Sequence, residues 1–60
     1  MGELLRIDQV AERLTVSVAV LRKWRIEGKG PRAFLLGNRL RYSAPDVEAW
    51  LIEQRERAVA

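Results

Sequence analysis

Sixty residues hold one domain, taken as 1–60, with 11 bases, 8 acids and a formal net charge of +3. There is no cysteine and no histidine, which excludes disulfide frameworks, zinc fingers, thiol nucleophiles and imidazole chemistry together. At 48% apolar and 32% charged residues the composition is that of a folded globular domain, and no apolar run approaches the roughly eighteen residues of a membrane span.

The opening MGELLRIDQ carries an early acid and no long apolar stretch, so it does not read as a signal peptide. Ile7, Val10, Ala11 and Leu14 then recur at i, i+3, i+4 and i+7, which predicts a short helix. Asp8 suits its positive end. No hydroxyl or Asx cap precedes it, so its first turn is expected to fray. Thr15-Val16-Ser17 interrupts the stripe. Ser17 can cap a second helix in which Leu21 and Trp24 share a face with Val20 beside them, and Gly28 supplies a left-handed stop. Two short helices joined by a tight turn make a helix-turn-helix, or equally an αα-hairpin with no nucleic-acid role. Spacing leaves both open.

Lys29-Gly30-Pro31 reads as a loop. The runs 33–36 and 39–42 flank Gly37-Asn38 and predict a hairpin with a two-residue turn. Leu40 and Tyr42 fall on one face of its second strand, Arg39 and Arg41 on the other. An isolated pair of strands is marginal in water, so the hairpin must pack on the helices. Ser43, Pro45 and Asp46 form a helix start resembling a capping box. Val47, Trp50 and Leu51 give the last helix its buried stripe, continued by Gln54 and Ala58, with Glu53 and Arg57 paired outside. The tail from Ala58 to Ala60 is expected to fray. The fold class is therefore mainly α with a small β-hairpin: helix, turn, helix, hairpin, helix.

Charge is segregated along this order. From Arg22 to Arg41 there are seven bases and one acid, whereas residues 1–21 hold two bases and three acids, and 42–60 two bases and four acids. A polyanion-binding face needs such a concentration; a scattered solvated surface does not.

With this order in hand, four stretches resemble the excisionase family of small winged-helix proteins, related to MerR-type DNA-binding domains. They are LLRIDQVAERL, then VSxxVLRKWRxEGKGP, then LLGNRLRY, then DVEAWL, together about residues 4–52. The resemblance implies a winged helix-turn-helix that binds double-stranded DNA. It implies bacterial or phage proteins that steer an integrase toward excision, or small transcription regulators of similar build. The chain departs from the family where Val18, Ala19 and Ile26 stand at places that often hold bases or hydroxyls.

In the docking geometry of such proteins the second helix enters the major groove with its N-terminal residues toward base edges. That makes Ser17, Val18, Ala19, Arg22 and Lys23 the inward candidates. Arg22 suits bidentate pairing with guanine, while Val18 and Ala19 offer only apolar contact, best met by a thymine methyl. The alternative for those two is plain helix surface or a protein contact. Arg25, Lys29 and Arg32 are candidates for phosphates, which fix register without reading sequence. Asn38, Arg39 and Arg41 on the wing would reach the neighbouring minor groove; a solvated strand face protected by charge is the alternative. Trp24 and Trp50 tempt a base-stacking assignment, but their helical phase makes them core residues, with Phe34 and Tyr42 at the core or its edge.

Catalysis finds little support. Gly28-Lys29-Gly30 lacks the spacing of a phosphate-cradling loop, and Asp46/Glu48 and Glu53/Glu56 sit among balancing charges. No enzyme activity, metal or cofactor is expected. The expected function is a cytoplasmic, sequence-specific duplex-DNA-binding protein of excisionase type, bending DNA, associating cooperatively with further copies and assisting an integrase or recombinase. A small MerR-like transcription regulator is the alternative, and a protein-interaction module with a basic face the alternative of another class.

Overall fold

A computed structural model describes residues 2–59. The order is β1 (Leu4–Leu5), α1 (Ile7–Leu14), α2 (Val18–Glu27), β2 (Phe34–Leu36), β3 (Arg39–Ser43) and α3 (Ala44–Val59). This is the winged helix-turn-helix that the sequence predicts, with one addition. The sheet has three antiparallel strands in the order β1-β3-β2, not two. Leu4 and Leu5 pair with Ser43 and Tyr42, and the Ala44 N–H donates to the Glu3 carbonyl at 2.8 Å. A two-residue strand is too short to show alternation, so its sequence carries no signal.

Local chemistry sets both helix ends of the helix-turn-helix. The first turn of α1 is tied down where fraying was expected. Lacking a hydroxyl cap, Arg6 is served from the other side: its backbone N–H donates to Gln9 Oε1 at 2.8 Å. At the far end Thr15 lies in the left-handed region at φ 58°, and the Thr15 and Val16 N–H groups donate to the Glu12 and Ala11 carbonyls. α2 is capped by Ser17, whose Oγ accepts from the Val20 N–H at 3.1 Å. It closes in the same way as α1, with Gly28 at φ 74° and the Gly28 and Lys29 N–H groups donating to the Arg25 and Trp24 carbonyls. Both helices thus end in a Schellman motif, one with the glycine that the motif favours and one with a β-branched residue.

Among the described residues the core is six side chains: Leu5, Val10, Ala11, Leu21, Tyr42 and Val47. Ile7, Leu14, Val16, Val18 and Trp24 pack around it, half-buried. The last helix departs from expectation in two ways. Only Val47 of its predicted stripe is buried; Trp50 is half-buried and Leu51 is 41% exposed. Its helical hydrogen bonding also runs through Val59, past the point where fraying was expected, while Ala60 lies outside the described residues. Ser43 Oγ accepts from the Asp46 N–H at 3.2 Å, and Arg57 pairs with Glu53 at 3.0 Å, both as the sequence predicts.

Thr15 is the one described non-glycine residue with positive φ, and a side chain there costs on the order of 1–2 kcal/mol, partly offset by the greater chain entropy of glycine. Thr15→Gly is expected to stabilise the domain by about 0.5–1 kcal/mol, a rise of about 3–6 °C in Tm, measured by thermal unfolding followed by circular dichroism.

Candidate nucleic-acid interface

On α2, Ala19, Arg22, Lys23 and Ile26 stand at i, i+3, i+4 and i+7 and form one exposed stripe. Ile26, at its C-terminal end, is 83% exposed. Leu21 and Trp24 lie on the other side, toward the core. Val18 turns partly inward and packs on that core, so Ala19 and Ile26 are the apolar groups that the stripe presents. The Ser17 hydroxyl is committed to the cap.

The wing is built by register. Leu36 pairs with Arg39, Leu35 with Leu40 and Phe34 with Arg41 across the Gly37-Asn38 turn. Gly37 has φ 66°, which a two-residue hairpin turn demands and a side chain resists. Tyr42 lies in the core with Leu5, and strand alternation puts Arg39 and Arg41 on the face opposite to it, while Leu40 is half-buried and lines the recess beside them. Arg39 is exposed; Arg41 is half-buried, its Nη1 donating to the Leu40 carbonyl at 2.8 Å.

These two pieces meet. A recess of about 290 Å³ is lined by Arg22 of α2, by Asn38, Arg39, Leu40 and Arg41 of the wing, and by Arg6, Ile7 and Asp8 at the start of α1. Four residues chosen from the sequence therefore share one concavity. Arg6 and Asp8 were not among them. They form an ion pair, Arg6 Nε to Asp8 Oδ1 at 3.2 Å, and the signal for them was hidden because they sit in the net-acidic first third of the chain.

The remaining candidates are dispersed. Arg25 and Arg32 are exposed on α2 and on the loop before β2. Lys29 lies elsewhere, in a second recess of about 550 Å³ with Trp24, Gly30, Trp50, Glu53 and Arg57, 3.8 Å from Glu27. The tryptophans are not enclosed core residues. Their rings meet at 5.5 Å and 43°, a tilted contact that leaves each half-open to this recess. Among the described residues there is no cluster of three or more acidic side chains placed to hold a metal, and no helix long and apolar enough to cross a membrane.

A family model described as a helix-turn-helix domain matches residues 4–55, from β1 through most of α3. No curated protein and no solved structure matches the chain.

Tyr42 ties this face to stability. Burial holds its phenol above the ordinary value of 10.0, while the positive charge of Arg25 pulls it part of the way down. The folded state thus keeps the proton longer than the unfolded chain. The stability it contributes is complete below the unfolded value and is lost as pH rises through the folded one. Tyr42 is the only tyrosine, so absorbance at the phenolate band reports it alone. Its midpoint is expected above the ordinary value and to coincide with loss of helical circular dichroism, and Tyr42→Phe removes that absorbance step.

Proposed function

The chain belongs to the helix-turn-helix domain family, which itself suggests DNA binding, and we propose that it binds duplex DNA in a sequence-specific manner without catalysing a reaction. The observation that carries this is the shared recess: Arg22 on the outer stripe of α2 and Asn38, Arg39 and Arg41 on the wing line one concavity. α2 enters the major groove with Ala19, Arg22, Lys23 and Ile26 inward, and the wing tip reaches the adjacent minor groove. Arg22 reads guanine through its two-pronged guanidinium. Ala19 and Ile26 meet thymine methyls, and Val18 contributes less because it is committed to the core. Arg25 and Arg32 hold phosphates; Lys29, set in the tryptophan recess, is left out of that contact.

Within DNA binding, the excisionase-type role fits best. Several copies occupy adjacent sites in the cytoplasm, bend the duplex and help an integrase assemble. Bending a site of 20–30 base pairs by 40–90° costs on the order of 1–6 kcal/mol, so cooperation between copies is part of the proposal. The four stretches that match in chain order are shared by excisionases and by small transcription regulators of similar build, so the regulator is the alternative within the same fold. Duplex selected from genomic fragments that falls at a promoter and is bound without bending would assign the chain to transcription regulation instead.

The test is a gel-shift titration on duplexes selected from a random pool. With about four phosphates neutralised, by Arg25 and Arg32 and by Arg39 and Arg41 of the wing, log K is expected to fall against log salt with a slope near −3.6. Arg22→Ala is expected to cost about 1–3 kcal/mol and to relax preference at one base pair, whereas Arg39→Ala weakens all sequences alike. Uracil in place of thymine opposite the start of α2 is expected to lower affinity. A flat salt response overturns the proposal and leaves the basic face to an acidic protein partner.

A further inference from the structure

The recess between the start of α1, α2 and the wing gathers positive charge that the protein does not balance. Arg6, Arg22, Arg39 and Arg41 line it against the single carboxylate of Asp8. Among the described residues, that carboxylate is the only acid ion-paired with any of the four. Arg41 donates to the Leu40 carbonyl, which satisfies an N–H without cancelling the charge. Guanidinium groups stay protonated throughout the working pH range, so four of them round one concave surface repel each other until an anion arrives. The first turn of α1 borders the same recess through Ile7 and Asp8, which adds the positive end of its dipole.

Position identifies the anion. A protein with one element in the major groove and another in the adjacent minor groove must straddle the sugar-phosphate backbone that divides them. The recess lies between those two elements, so the backbone runs across it. We propose that it is a phosphodiester site: it seats one backbone phosphate of the duplex between α2 and the wing, Arg6 is one of its ligands, and Asp8 is an internal counter-ion that the phosphate displaces. The proposal rests on the duplex-binding function above and adds to it the place where the strand is held. With DNA absent, Asp8 occupies one prong of Arg6. With DNA bound, that prong turns to a phosphate oxygen in a charge-assisted, two-pronged contact. Asp8 thereby lowers the affinity of the free face for stray polyanions.

The experiment compares the wild-type chain with Arg6→Gln, Asp8→Asn and, as a control in the tryptophan recess, Arg57→Gln. Each is titrated across a salt series on a selected duplex and on a scrambled one. Circular dichroism melts establish folding, and the cap on α1 survives both changes because it uses the Arg6 backbone and Gln9. Arg6→Gln is expected to weaken both duplexes several-fold alike and to reduce the salt slope by about 0.9. Asp8→Asn is expected to strengthen binding several-fold, and Arg57→Gln to leave the slope unchanged. A folded Arg6→Gln protein with wild-type affinity and slope, or an Asp8→Asn protein that binds more weakly, overturns the site. A parallel titration with inorganic phosphate, followed by amide shifts in 15N-labelled protein, separates the two levels. Movement of the residue 6–8 amides in a protein that ignores duplex supports the anion site while removing the DNA function; neither movement nor duplex binding removes both.

Discussion

Everything in this molecule depends on one small contact: Tyr42 and Leu5, paired across β3 and β1, buried against Val10, Ala11, Leu21 and Val47. These six side chains come from five of the six elements, leaving out only β2. The same residues that exclude water also hold the wing at a fixed angle to α2. A chain of 60 residues buries only about 60% of its unfolded surface, and among the described residues no second core is present to take over. Loss of packing at Tyr42 would therefore cost fold and groove geometry together. The burial that makes Tyr42 structural also holds its phenol above the ordinary value, against the smaller downward pull of the exposed Arg25 guanidinium.

Much of the fold was legible. The 3.6-residue spacing of Ile7, Val10, Ala11 and Leu14, the Ser17 cap, the Gly28 stop and the Gly37-Asn38 turn are each local, and each held. What escaped was non-local or lacked its usual residue. β1 is two leucines whose strand character comes entirely from partners some forty residues away. The left-handed stop of α1 was invisible because a threonine stands where glycine is usual. Helical phase placed Trp50 and Leu51 on an apolar stripe of α3, but phase says which residues share a face, not whether anything covers it. Beyond Val47 little does.

The candidate site was half legible for a similar reason. Counting charge along the chain located the basic third, and the structure brings Arg22, Asn38, Arg39 and Arg41 from it into one recess. The same count did not distinguish Lys29, which shares the basic stretch but lines a different concavity. It also hid Arg6, a base in an acidic neighbourhood that joins the others only through tertiary packing. Linear charge density is blind to which acid neutralises which base. The Arg6–Asp8 pair is an interaction between neighbours in sequence whose significance lies in what stands opposite.

The junction at Ser43 has a mechanical consequence. β3 ends at Ser43 and α3 begins at Ala44 with no loop between them, and the joint is clamped by the Ser43 hydroxyl on the Asp46 N–H and by the Ala44 N–H on the Glu3 carbonyl. Strand and helix are therefore one stiff lever with its fulcrum at the core. The wing and α3 share a single clamped joint, set on the core side chains Tyr42 and Val47 to either side of it, while the outer turns of α3 from Leu51 to Val59 are mostly open.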